Sequence, residues 1–438
     1  MRLLLAVLVS LAVLPSVASA AAPRRVLISA DLAAGLGATD GSRTFPSDVD
    51  DAIAVAWAVS TPGLDVDAVI GHYGNNEAAA ITRQTWTMVH DVMGRRDIRI
   101  EQGPAGPMTA SAERGRGAAD PCVTPGVQLL ADELRRAPAT VLELGNLTTI
   151  GCLVRAFPKE SANVDELVVE SGRAPGEVFY LREKPGVTDT NFNQDPYAAE
   201  LVLRELPAPI TFDPWSVNSS TILDDARLDR LGGDTPIGRW LRENIRTWRT
   251  FWDAAFQDMG IRAWDQHVIF YLQHPDAYVV EDTPWKVVSC AGEGPRKNAS
   301  TDCAGHGPTQ VPTLDAEKAQ LWLGQTPGQT RRDGIRTMRR FRSPADQQAF
   351  LDEQTALHGP DVVPAGPSAA GRAAAAAAAQ GRLAAQRRHA AQRRASQRRA
   401  AARRAAHRRA VQRRAVQRRA AARRAHARRV ARRRAAAR

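Results

Sequence analysis

Val26-Leu27-Ile28-Ser29-Ala30-Asp31, followed across a glycine-containing stretch by Asp48-Val49-Asp50-Asp51-Ala52-Ile53-Ala54, is the passage on which the reading of this chain turns. The first part is a short apolar run that stops at a carboxylate. The second sets three acids in four positions and then opens a helical pattern over 50–60, with Ile53, Val55, Ala56 and Trp57 as its apolar residues. A strand ending in Asp, with a helix opening on Asp-Asp, is the start of a β-α unit. Outward from it the alternation continues. Strands are predicted at 64–73, 98–102, 140–144 and 166–170, and helices at 77–93, 127–136, 149–156 and 196–205. This order predicts an α/β fold, Rossmann-like, with a mainly parallel central sheet and helices on both faces.

In such sheets ligands lie beyond the carboxyl ends of the strands. Polar residues that follow strands are therefore the first candidates: Asp31, the pair Asn75-Asn76, and Gly145-Asn146-Leu147-Thr148. An acid at a helix start needs no function, since capping and the helix dipole already stabilise it by about 0.5–2 kcal/mol. Three acids in four residues, with Asp31 presented nearby, repel one another unless a cation sits among them. Oxygen donors without clustered Cys or His point to Ca²⁺ or Mg²⁺. The spacing is not that of an EF-hand loop. Trp57, Trp86 and Met88 fit helical core spacing, and His72 and His267 read as scaffold residues.

The two ends of the chain differ from its body. Residues 1–20 carry Arg2, an apolar run from Leu3 to Leu14 and Ala18-Ser19-Ala20, the pattern of a secretory signal peptide. An uncleaved N-terminal anchor is the other reading of that stretch. The signal-peptide reading predicts a secreted, bacterial-type extracellular protein with its body at 21–365. Residues 366–438 contain no acid, and paired arginines recur every five positions from Arg393 to Arg428. Five-residue steps wind the arginines around any helix and leave no apolar face, so this tail reads as a solvated helix or as disordered. The chain has 59 basic and 47 acidic residues; without the tail's 24 arginines the balance becomes 35 against 47, a net of −12. The high pI thus belongs to the tail, as does any affinity for polyanions such as nucleic acid or an anionic cell surface. Four cysteines, Cys122, Cys152, Cys290 and Cys303, are candidates for two disulfides in an exported chain. The last two enclose a glycine-rich stretch and read as a loop staple.

The opening passage resembles the signature of the inosine-uridine preferring type nucleoside hydrolase family, in which a strand ends in Asp and a nearby Asp-Asp opens the first helix. Further motifs follow in the family's order. Gly74-Asn75 resembles the Gly-Asn after its second strand, and Leu144-Gly145-Asn146-Leu147-Thr148 resembles its Gly-Pro-Leu-Thr-Asn turn. Asp189-Thr190-Asn191-Phe192 with Asp195-Pro196 resembles Glu-Phe-Asn with Asp-Pro, and Asp265 matches the late aspartate. The departures are an insertion with Gly35-Leu36-Gly37 and Gly41-Ser42, Asp189 for Glu, Asn146 for Pro and Thr149 for Asn.

The resemblance implies a calcium-dependent hydrolase of the N-glycosidic bond of ribonucleosides. It implies Ca²⁺ held by Asp31, Asp51, Asp265 and the Leu144 carbonyl, with Asp31 also the general base. Asp50, Asn75, Asp189 and Asn191 would grip the ribose hydroxyls. Trp264 stands where purine-preferring members carry a Trp, and a packed helix residue is its other reading; no leaving-group acid is evident. A binding protein that has lost turnover, and a scaffold whose basic tail does the work, are the competing readings. Homo-oligomerisation is a further expectation.

Overall fold

The computed structural model describes residues 22–37, 46–108, 122–175, 177, 180–181, 184–185, 189–256, 260–289, 319–324 and 334–357. The chain divides into two units, Met1–Arg372 and Ala373–Arg438, with the basic repeat in the second; that repeat, residues 1–20, Cys290 and Cys303 lie outside the described residues. No helix among the described residues is long and apolar enough to cross a membrane.

Eight strands form one sheet: β1 (Arg24–Ala30), β2 (Leu64–Gly71), β3 (Arg99–Gln102), β4 (Ala139–Glu143), β5 (Val164–Glu170), β6 (Ile210–Asp213), β7 (Tyr278–Asp282) and β8 (Ile335–Phe341). Their spatial order is β7-β8-β6-β5-β4-β1-β2-β3. Every neighbouring pair is parallel except β7 with β8. Central strands of such a sheet are covered on both faces, so β1 and β4 read as continuous apolar runs rather than alternating ones. Side chains still alternate: Val26, Ile28 and Ala30 enter one core, Leu27 the other.

The helices used below are α1 (Asp50–Ser60), α2 (Ala78–Trp86), α3 (Pro125–Arg136), α4 (Thr148–Ala156), α5 (Thr190–Gln194), α6 (Pro196–Glu205), α7 (Trp215–Asn218), α8 (Pro236–Phe256), α9 (Gln266–Gln273) and α10 (Pro344–Ala356). Residues of α1, α8 and α9 fill the core on the Val26 face, and those of α3, α4 and α6 the core on the Leu27 face. A disulfide joins Cys122, just before α3, to Cys152 within α4. The sheet's outer strands carry exposed charged residues, Arg99 and Glu101 on β3, Glu281 and Asp282 on β7.

One core expectation is corrected. Trp57 and Met88 are buried, but Trp86 is 41% exposed. The buried stripe of α2 runs through Ala78, Ile81 and Thr85 to Met88 in the π-helical turn Thr87–Val92. Trp86 lies one residue, about 100°, off that stripe. Its ring instead meets the edge of His90 at 5.1 Å and takes Arg96 over its face at 6.0 Å. His72 and His267 are both fully buried.

Candidate active site

Four neighbouring parallel strands bring their carboxyl ends to one edge. β1 stops one residue before Asp31, β4 one before Leu144, β5 on Glu170 and β6 on Asp213. β2 continues through His72 and Tyr73 to Gly74 and Asn75. Two helix starts meet the same edge, tied together where the Gln266 side-chain amide donates to the Asp50 carbonyl at 2.9 Å. That tie sets Asp265 beside the first turn of α1.

One carboxylate oxygen from each of Asp50, Asp51 and Asp265 lies within 4.8 Å of the other two. Asp31 adjoins this trio: its backbone N–H donates to Asp51 Oδ1 at 3.0 Å. Asn75 closes the group. Its backbone N–H donates to Asp31 Oδ2 at 2.8 Å, and its side-chain amide reaches Asp31 Oδ1 at 3.2 Å and Asp51 Oδ2 at 3.3 Å. Two glycines make room. A Cβ on Gly74 would overlap the Asp31 carboxylate, and one on Gly145 would sit 2.5 Å from the His72 ring and 3.1 Å from Asp31 Cγ. Behind Asp31, His72 lies between Glu143 Oε1 at 2.9 Å and the Tyr73 carbonyl at 2.7 Å.

Burial dominates the electrostatics. It pushes Asp31 up, with His72 and hydrogen bonds opposing. Burial, then the neighbouring Asp31 charge, raises Asp50 to about 7. Burial followed by the surrounding acids holds Asp51 and Asp265 well above the usual carboxylate range. Both oxygens of Asp265 lack a hydrogen-bond partner. Buried carboxyls are ordinarily paired, so an orphaned one facing two other acids fits a bound cation. The donors are all oxygens, which suits a hard divalent ion.

Beyond the acids lies a cavity of about 470 Å³ lined by Asp31, Asp50, Asp51, Asn75, Leu144, Asp189 and Asn191, with Trp264. Of the residues to which the resemblance gave a metal or substrate role, Asp265 alone is absent from its lining; the strand-end candidates Asn76 and Gly145-Asn146-Leu147-Thr148 also lie outside it. The Asn191 amide donates to the Leu144 carbonyl at 3.1 Å and to Glu170 Oε2 at 2.7 Å. Asp189 serves as the N-cap of α5, accepting the Phe192 N–H at 3.1 Å and the Gly172 N–H at 2.8 Å.

Sequence reasoning missed Glu170, Trp215, Trp248 and Trp252, which also line the cavity. Glu170 had a usable signal, since it ends a predicted strand as Asp31 does. The tryptophans had none: Trp248 and Trp252 share α8 at core-like spacing, and only the tertiary fold brings them to Trp264. Trp215 lies 6.4 Å from Trp264 with planes 27° apart, and Trp252 meets Trp264 edge-on at 5.3 Å. The four indoles pack together as an aromatic part of the cavity lining.

A parallel sheet with acids gathered at its carboxyl edge, below a cavity with one aromatic side, defines an α/β enzyme with a metal-binding type of site. Residues 44–348 match the model of the inosine-uridine preferring nucleoside hydrolase family, and the chain belongs to that family, whose members hydrolyse N-glycosyl bonds. The non-specific ribonucleoside hydrolase RihC of Salmonella paratyphi B is 26% identical over 250 residues, covering 53% of this chain and 78% of the relative. Among solved structures, the purine-preferring ribonucleoside hydrolase from Gardnerella vaginalis superposes with a TM-score of 0.55 at 15% identity, over 76% of this chain and 99% of that one. A plant nucleoside hydrolase gives 0.54 at 18% identity, over 76% and 99%. At these identities the structural likeness establishes the fold.

Proposed function

We propose that this chain is an exported, calcium-dependent ribonucleoside hydrolase with a preference for purine nucleosides. The observation that carries the reading is the convergence of Asp31, Asp50, Asp51 and Asp265 with the Leu144 carbonyl at one sheet edge beneath the cavity. In this reading Asp31, Asp51, Asp265 and the Leu144 carbonyl hold Ca²⁺, and Asp50, the third acid of the trio, faces both the ion and the sugar. Calcium supplies Lewis acidity that lowers the pKa of water. Asp31 takes the proton from the water that attacks C1′, and the ribosyl–base bond breaks through an oxocarbenium-like state. Asp50, Asn75 and Asn191 orient the ribose hydroxyls, contacts that tighten as the ring flattens. Trp264, within that aromatic lining, stacks on the base; stacking is worth roughly 0.5–1.5 kcal/mol beyond area burial and favours the larger ring system.

The binding protein without turnover is less well supported, because the family to which the chain belongs consists of hydrolases. Export rests on residues 1–20 and on the Cys122–Cys152 bond, which suits an oxidising compartment. The test is incubation of the purified protein with inosine, adenosine, guanosine and uridine, with free base and ribose assayed. The expected result is release from all, purines faster, abolished by chelation and restored by calcium. Activity that survives thorough chelation sinks the metal reading. Equal rates for purines and uridine sink the preference.

A further inference from the structure

We infer that Glu170 is a direct sugar-binding residue, its carboxyl group receiving a hydroxyl of the bound ribose at the place where Asp189 was expected to reach. This rests on the nucleoside hydrolase reading above and assigns one more residue to its sugar end.

Glu170 closes β5, between the ends of β4 and β6, and lines the cavity with Asp50, Asp189 and Asn191. Two amides aim it. Oε2 accepts from Asn191 Nδ2 at 2.7 Å, and Oε1 accepts from the Asn218 side chain on α7. Each oxygen therefore takes one side-chain hydrogen bond and keeps further acceptor capacity. The Asn191 amide that holds Glu170 also reaches the Leu144 carbonyl at 3.1 Å. One side chain thus couples the sugar end to the proposed cation end.

Asp189 is placed differently. Its Oδ1 accepts the Phe192 N–H at 3.1 Å and its Oδ2 the Gly172 N–H at 2.8 Å, and the Ser171 hydroxyl lies 3.2 Å from both. These contacts lock the Ser171-Gly172 turn after β5 onto the start of α5. Asp189 is one methylene shorter than the Glu of the family motif, and its backbone contacts use the reach it has. Its position is that of a brace, which holds the turn directly after Glu170. With Asp50, Glu170 places two carboxyl groups at the sugar end of the cavity, which suits a neutral, hydroxyl-bearing substrate better than a phosphorylated one.

The competing account is that Glu170 merely ties Asn191 to Asn218. The two differ in substrate dependence. Inosine and its 2′-, 3′- and 5′-deoxy forms are compared on the wild type, Glu170→Gln and Asp189→Asn. Loss of one buried hydrogen bond to the sugar predicts that Glu170→Gln lowers kcat/KM for inosine by about 5- to 100-fold. It also predicts that one deoxy substrate, the one lacking the partner hydroxyl, loses almost nothing further. Asp189→Asn should lower the melting temperature and reduce all four rates by a common factor. Equal losses for Glu170→Gln on all four substrates, or none, overturn the inference. A wild type that cleaves no nucleoside overturns the parent reading with it, whereas cleavage with an indiscriminate Glu170→Gln removes this inference alone. Should Glu170→Gln fail to fold, a crystal structure of Asp31→Asn with inosine decides the matter. A sugar oxygen should then lie about 2.5–3.0 Å from the Glu170 carboxyl, and its absence there overturns the assignment.

Discussion

Asp31 carries the most chemistry per atom of any residue in this site. It receives two donors from Asn75, lies against Asp51 through its own N–H, and has glycines at 74 and 145 where any larger residue would push it aside. Asp31→Asn should therefore keep the fold and cut turnover by at least about 10², the size of a lost general base. Near wild-type kcat in that variant would show that another group takes the proton. The acids were legible in the sequence because crowded charge is visible without a structure: Asp48, Asp50 and Asp51 repel one another wherever the chain goes. Glu170 was not, because a single acid at a strand end is common. Nor were Trp215, Trp248 and Trp252, whose meeting with Trp264 depends on elements far apart along the chain.

Elements with strong end signals were readable to the residue. The helix over 50–60 and the helix Pro196–Glu205, with Asp195 as cap and Pro196 behind it, occur as expected. The last three strands of the sheet, Ile210–Asp213, Tyr278–Asp282 and Ile335–Phe341, were not read. They mix charged and apolar residues, and β7 and β8 pair antiparallel near the sheet's edge, where one side is wet. The Cys122–Cys152 bond closes a sequence separation of 30 and pins the lead-in of α3 to α4, the helix that follows Leu144. Replacing both cysteines by serine should cost about 2–4 kcal/mol, the usual effect of opening a loop of that size, with kcat falling less than stability does. An unchanged urea midpoint would mean that the staple constrains little.

At the scale of the whole molecule, crowded acids make stability depend on protons and on the cation together. Asp50 is raised to about 7, and Asp31, Asp51 and Asp265 also lie above their ordinary values. The folded state thus binds protons more tightly than the unfolded one. For Asp50 that stabilisation is complete below the unfolded carboxylate range and is lost as pH rises through about 7. Calcium-free protein should accordingly melt lower at pH 8 than at pH 5.5, and added calcium should raise the melting temperature more at pH 8, where fewer protons compete. A flat or rising profile without calcium would overturn this account. Removal of residues 366–438 should leave hydrolysis intact and abolish salt-sensitive retention on heparin, since binding by arginines alone weakens steeply with salt; loss of activity would make the tail part of the enzyme. The sheet, finally, constrains how copies could associate. Both outermost strands carry exposed charged residues, Arg99 with Glu101 and Glu281 with Asp282, and charge on an edge strand discourages a second sheet from templating onto the first. Any dimer of this enzyme should meet through its helical layers, and a destabilised variant should resist fibre growth from either margin of the sheet.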